Sequence, residues 1–335
     1  MIIKVIVSLI PVFLFLIMLL YLDSLKLVSK SLLTICLIWG LVSSGLSFFL
    51  NTWLINKLAF SFDTYSGFIA PFVEEFMKCG MLWFLIKRNK IGFMIDGAIY
   101  GFSVGAAFSF AENLFYLTQY AGDESNLMIW ITRGFGTAIM HSGTAAIFGI
   151  LCMSALNRKS GLGLATITGL LAAIIIHGIF NQFLVSPLIS TVIIILMVPL
   201  SIIVIFNSNE QSIRNWLELE FDSEVSILRM IRKGQFAQTK TGSFLVSLKT
   251  HFPGEVVLDM YCFISLYLEL SMKAKSMIML KENDLVTPSD PDLPVKLSEL
   301  KALRKSIGRG GYLAIAPVLR MNRKDLWKLY LLEKA

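Results

Sequence analysis

Charge is what this sequence has little of. Aspartate, glutamate, lysine and arginine make up 16% of its 335 residues, against roughly 25% in an average soluble chain. Hydrophobic residues make up 56%, and the mean hydropathy is +0.71. A chain this long and this apolar does not stay soluble around a single core. An ordinary cytosolic enzyme, a nucleic-acid-binding domain and a disordered protein are therefore excluded. The formal net charge of +7 does not restore nucleic acid as a partner, because the basic residues fall between long apolar runs, as in a multi-span membrane protein. Cysteine is also scarce. Cys36, Cys79, Cys152 and Cys262 form no Cys-x-x-Cys and read as reduced packing residues, not as a disulfide or zinc framework. There is no internal repeat.

What the chain has instead is long apolar runs. A helix needs roughly 20 residues to cross the hydrocarbon core. Seven stretches qualify: Ile2–Leu22, Ser31–Leu50, Ser66–Ile86, Gly92–Tyr120, Leu127–Leu156, Leu162–Phe183 and Pro187–Phe206. The first lacks an Ala-x-Ala-like cleavage site and is expected to be retained. Lys26, Lys30, Lys87, Arg88, Lys90, Arg158 and Lys159 fall in one alternating set of loops, and only Lys4 and Lys57 in the other. Positive residues favour the cytoplasm, so the amino terminus is expected outside and the carboxyl tail inside.

The character changes after Phe206. Residues 207–335 hold 19 of the 30 basic and 15 of the 23 acidic residues. The expected organisation is a membrane domain over 1–206 and a helical cytoplasmic domain over 207–335. Apolar periodicity predicts helices near 209–232, 254–282, 295–306 and 323–333. Val256–Leu270 is apolar but contains Asp259 and Glu269, so it reads as a buried core helix and not an eighth span. The Ile307–Tyr312 stretch lacks the Gly-Lys-Ser/Thr of a phosphate loop and reads as a turn.

An ionisable residue inside a span costs a few kcal/mol even on the lenient insertion scale. Glu74, Glu75 and Lys78 sit in the third expected span, Asp96 and Glu112 in the fourth, Arg133 and His141 in the fifth, and His177 with Asn181 in the sixth. Lys78 lies one turn beyond both Glu74 and Glu75 and can neutralise one of them. Arg133, Thr137 and His141 share a face, as do His177 and Asn181. Gly97, Gly101, Gly105, Phe108 and Glu112 form a stripe that permits close helix contact and aims Glu112 into the bundle. Asp96, near a helix start, reads as a cap or a partner for Lys90. At about 1.5 Å per residue, Glu74, Glu112 and His177 lie roughly 12–15 Å below the outer ends of their spans and His141 roughly 20 Å. All can meet in one layer. Two such chemistries suit carboxylates and imidazoles there: water activation with proton donation, or binding of a divalent metal. A proton-coupled transporter uses the same residue types, although no pair of broken helices appears in matching halves. An inactive membrane scaffold is the remaining alternative.

The ordered set of motifs resembles the PrsW family of bacterial intramembrane proteases, relatives of the CAAX-processing and Abi endopeptidases. Glu74-Glu75-Phe-Met-Lys78 fits EExxK, Phe108-x-x-x-Glu112 fits FxxxE, and His141 and His177-x-x-x-Asn181 follow on successive spans. The resemblance covers about residues 60–185. It implies hydrolysis of a membrane-anchored protein, such as an anti-sigma factor, near the outer face of the bacterial cell membrane. Glu74 and Glu75 would activate water, with Glu112, His141 and His177 completing the site and Lys78, Asn181 and Arg133 supporting it. Of the two carboxylates, Glu75 is preferred as the base. No cofactor is expected on the leading reading; a divalent metal such as zinc, held by His141, His177, Glu112 and Glu75, is the alternative. His-Glu-x-x-His, a Gly-x-Gly-Asp pair and a Gly-x-Ser-Gly turn are all missing, and Ser142 reads as a packing residue. The fold class is all-α, a polytopic bundle of about seven spans with a helical tail.

Overall fold

The computed structural model describes residues 2–23, 28–58, 60–119, 130–158, 161–182, 186–282, 285, 290–319 and 332. Among them every regular element is helical. The helices are α1 (Ile2–Leu22), α2 (Lys30–Lys57), α3 (Ala70–Lys87), α4 (Met94–Gln119), α5 (Thr137–Asn157), α6 (Leu162–Asn181), α7 (Pro187–Arg232), α8 (Lys240–Ser247), α9 (Gly254–Glu282) and α10 (Leu293–Leu319). Short π-helical turns, Tyr65–Ile69 and Trp130–Gly136, lead into α3 and α5. The chain divides into two compact units, Met1–Asn209 and Glu210–Ala335.

Five helices among the described residues are long and apolar enough to cross a membrane: α2, α4, the Trp130–Asn157 rod, α6 and the Pro187–Ile205 part of α7. The other two expected spans are α1, with the apolar stretch Ile10–Tyr21, and α3. α3 is less apolar because Glu74, Glu75 and Lys78 lie within it, and the last two are fully buried in protein. A bilayer accepts only segments whose backbone polar groups are satisfied internally, which is why the apolar runs become helices.

In lipid, helix association depends on close packing and not on expelling water. α4 and α5 show how. A Cβ at Gly97, Gly101 or Gly105 would overlap the backbone of Gly149, Ala145 or His141, respectively. The stripe foreseen on α4 is therefore the seam with antiparallel α5. α2 closes on α4 in the same way at Gly40, which abuts the Val104 carbonyl. On the other side, Val12, Leu16 and Leu19 of α1 are buried with Ile99 and Phe102 of α4 and Ile139 of α5. Asp96 caps α4: its Oδ2 accepts from the Gly92 and Phe93 amides at 3.0 and 3.1 Å.

The second unit has an aqueous-type core. Met260, Phe263, Ile264, Tyr267, Leu268 and Leu270 of α9 are buried with Leu297, Leu300 and Ile307 of α10. The Val256–Leu270 stretch is thus the centre of this core. Two details differ from the sequence expectation. α8, whose Thr239 side chain caps it by accepting from the Gly242 amide, is too short for its periodicity to stand out. The Ile307–Tyr312 stretch is helical, broken only where Gly308 takes φ 64°, a conformation that costs glycine little. The helix expected near 323–333 lies, but for Leu332, outside the described residues.

Candidate active site

Adjacent residues on a helix point about 100° apart, and α3 uses this to divide its two glutamates. Glu75 faces inward and is 0% exposed. The Glu74 side chain is 17% exposed and lines a cavity of about 570 Å³ enclosed by α2, α3, α4, α5 and α6. Glu112, His141, His177 and Asn181 line the same cavity; Glu75 is not among its lining residues.

Glu75 Oε1 is the hub beneath the cavity floor. It accepts from Lys78 Nζ at 2.7 Å, from His177 Nδ1 at 2.7 Å and from Thr144 Oγ1 at 3.0 Å. Lys78, also fully buried, donates to His141 Nδ1 at 2.9 Å and lies over the Phe108 ring at 5.1 Å. These bonds set the proton positions. Lysine as an ammonium only donates, so His141 carries its ring proton on Nε2; a carboxylate only accepts, so His177 carries its proton on Nδ1. His141 Nε2 meets Glu112 Oε2 at 2.8 Å. His177 Nε2 faces Asn181 Nδ2 at 3.2 Å and Glu74 Oε2 at 3.8 Å. The two imidazoles stand edge to face, their centroids 4.8 Å apart.

The helices explain how His141 reaches Glu112. Side chains lean toward the amino end of their helix. α5 runs antiparallel to α4, so His141 leans toward the carboxyl half of α4, where Phe108 and Glu112 lie two and three turns beyond Gly101. Its ring sits 4.9 Å from that of Phe108. The Gly105 contact sets the backbone spacing that makes this reach possible.

The structure thus brings Glu74, Glu75, Lys78, Glu112, His141, His177 and Asn181 together from four helices. Arg133 belongs to the π-turn before α5, but its side chain lies outside the described residues. Ser142 donates to the Ala138 carbonyl at 2.7 Å within its own helix. Three members of the network escaped the sequence reading. Asn51 of α2 donates to Glu74 Oε1 at 3.2 Å, and Tyr65 donates to Asn51 Oδ1 at 2.9 Å. Thr144, one turn after His141, bonds Glu75. Asn51 carried a signal, as an amide inside an apolar run, and Thr144 carried its i+3 spacing. Tyr65 carried none. Asn181 also donates to the Ser66 carbonyl at 3.1 Å, tying α6 to the π-turn that presents Tyr65.

Glu74, His141 and His177 each offer a ligand atom, all within 4.8 Å of one another. A carboxylate and two imidazoles are a familiar zinc donor set. The Glu75–His177 bond has the form of the carboxylate that orients a metal-binding imidazole. The carboxylates of Glu74, Glu75 and Glu112 also outnumber the Lys78 ammonium, an excess of negative charge that a divalent cation would offset. The residues present therefore fit a metal.

A family model described as PrsW family intramembrane metalloprotease matches residues 28–205. That description includes a metal, where the sequence reading leads with none. No curated protein and no solved structure matches the chain.

Proposed function

The chain belongs to the PrsW family of intramembrane metalloproteases, and from that premise we propose that its cavity hydrolyses a peptide bond of a membrane-anchored protein, with Glu74 as the group that activates water. The observation that carries this reading is the convergence of Glu74, Glu112, His141 and His177 on one cavity among apolar helices.

Glu74 and Glu75 take different parts. Glu75 lies beneath the cavity and positions His177 and Lys78; Glu74 faces the space a substrate would occupy. This reverses the sequence preference for Glu75 as the base. The 3.8 Å between Glu74 Oε2 and His177 Nε2 is too long for a direct hydrogen bond and suits a bridging water. Glu74 takes the proton from that water as its oxygen attacks the scissile carbonyl. Glu74 then passes that proton to the departing amine, and Glu112 holds the His141 ring beside the cavity by accepting from its Nε2–H. Removing a general base costs typically 10²–10⁴-fold in rate.

In a metal-loaded site Glu74, His141 and His177 would hold a divalent metal such as zinc, which would supply Lewis-acid polarisation and a more acidic water in place of the Glu74 base. A metal-free glutamate hydrolase is the second reading, and Lys78 favours it. Its bond to His141 Nδ1 leaves the ring proton on Nε2, the nitrogen that faces Glu112. Elemental analysis of the purified protein, with activity after chelation and zinc re-addition, separates the two.

The orientation is proposed on the loop charges: amino terminus outside, the helical tail cytoplasmic, the cavity toward the outer side of a bacterial cell membrane. A membrane-anchored anti-sigma factor is the substrate class that the family resemblance suggests. Co-expression with single-span candidate substrates tests the activity. Wild type should cleave and Glu74→Gln should not, at equal protein in the membrane. Normal cleavage by both Glu74→Gln and Glu75→Gln would return the membrane unit to a transporter or scaffold.

A further inference from the structure

One face of α2 runs the length of the active-site cavity. Leu41, Ser44, Gly45, Phe48, Thr52 and Ile55 all line it, at the i, i+3, i+4, i+7, i+11 and i+14 positions of a single helical stripe. The stripe is about 21 Å long. Opposite it stand Phe108, Glu112 and Phe115 of α4. Gly40 and, two turns on, the Phe48–Phe115 ring pair at 5.1 Å hold the two helices in contact, and the cavity lies beside this seam. Leu41 and Phe48 are exposed, as are their apolar neighbours Val42, Leu46 and Phe49, which do not line the cavity, so the cavity wall is continuous with the apolar face that lipid would touch. A Cβ on Gly45 would meet nothing within 4 Å. Helix packing therefore does not require glycine there, and the space before it is open.

Ser47, on the same wall, supplies the second observation. It is 2% exposed and lines the cavity, yet its Oγ has no hydrogen-bond partner among the described residues. Its neighbours behave differently. Ser43 bonds the Gly40 carbonyl at 2.9 Å and Thr52 the Phe48 carbonyl at 2.8 Å, the usual resort of a hydroxyl in an apolar helix. A buried hydroxyl without a partner is costly, so Ser47 is placed for an acceptor that arrives from the cavity.

The occupant must offer that acceptor. A lipid acyl chain offers none. A membrane segment about to be cut does. Hydrolysis requires the scissile stretch to leave its helix, and the freed carbonyls then need donors in a medium without water. We propose that this face of α2 is the substrate-binding subsite, with the Ser47 hydroxyl donating to a main-chain carbonyl of the unwound membrane segment. Ser47 lies one turn, about 6 Å, from Asn51, and Asn51 touches Glu74. Extended chain advances about 3.3 Å per residue. Two residues of extended chain cover the step from Ser47 to Asn51, so the carbonyl bound by Ser47 is two or more residues from the scissile bond. This inference rests on the protease reading, and its test is arranged so that the two can fail separately.

The test uses the full chain in phosphatidylethanolamine–phosphatidylglycerol vesicles. The probe is a synthetic peptide with one Leu/Ala-rich span of roughly 20 residues, interrupted near one end by a Gly-Ser step. A benzophenone amino acid at position 45, in a Glu74→Gln background, should cross-link to the peptide. For any substrate that wild type cleaves, Ser47→Ala should raise KM about fivefold, the worth of one neutral hydrogen bond, with kcat within about twofold. Gly45→Leu should raise KM more than Ser47→Ala does. Equal membrane insertion of the variants, together with this split between KM and kcat, excludes a merely structural role. Cross-links to lipid alone, or an unchanged KM in Ser47→Ala, overturn the subsite and leave the protease reading standing. Peptide cross-linked at position 45 of a chain that cleaves nothing supports the subsite and removes the protease.

Discussion

His177 donates its Nδ1 proton to Glu75 across 2.7 Å, deep beneath the cavity that Glu74 faces. The bond turns the other ring nitrogen, Nε2, toward Glu74 and Asn181. One carboxylate of the pair therefore works on the imidazole and the other on the cavity. The two should respond differently to the same substitution. Glu74→Gln should reduce cleavage by about 10²–10⁴-fold. Glu75→Gln keeps an acceptor for His177 and should lose about 10–100-fold, as an outer-shell partner does. Cleavage rate per unit of membrane-inserted protein measures both. The opposite ranking would return the base to Glu75.

Lys78 and Glu75 are both fully buried and lie 2.7 Å apart. Breaking a buried pair from one side costs about 3–5 kcal/mol because a charge is left uncompensated. Lys78→Met should lower the thermal stability of the detergent-purified protein, and adding Glu75→Gln should recover most of it. Equal stability of single and double variants would show that the pair contributes nothing to the fold.

Gly105 allows α4 to lie against the turn of α5 that carries His141. A methyl group there would strike the His141 carbonyl, and the neighbour is backbone that cannot rotate away. Gly105→Ala should separate the helices and lengthen the Glu112–His141 contact, with cleavage falling at least about tenfold, since misplacement by about 1 Å can cost 10²-fold. Gly163→Ala, whose added carbon meets nothing within 4 Å, should behave as wild type in the same assay.

In the second unit, burial pushes the Cys262 thiol up, and Asp259 and Glu299 raise it further. A raised pKa means less thiolate at any given pH. Alkylation of Cys262 between about pH 7 and 9 should therefore be slower than that of an unperturbed cysteine at about 8.5, with the difference narrowing as pH rises. Mass spectrometry of iodoacetamide-treated protein reads this directly. Faster labelling than the reference would mean that the local carboxylates do not face the sulfur.

Sequence alone determined that this is a membrane protein, where its apolar helices run, and which polar residues break them. Those properties are local: apolar length sets a span, and a charge within one is costly wherever the helix finally packs. The four-residue steps of Gly97, Gly101 and Gly105 marked a contact seam for the same reason, since helical periodicity is a property of one segment. Only the tertiary structure decided which of Glu74 and Glu75 meets the cavity. The two differ by a rotation of about 100° on one helix, and nothing in α3 itself says where α2, α4, α5 and α6 will stand. Asn51 and Tyr65 acquired their roles in the same way. Each is an ordinary polar residue until packing sets it against Glu74 or against the other. The Ser47 hydroxyl is the clearest instance, because its lack of a partner among the described residues is defined by its surroundings and not by its position along the chain.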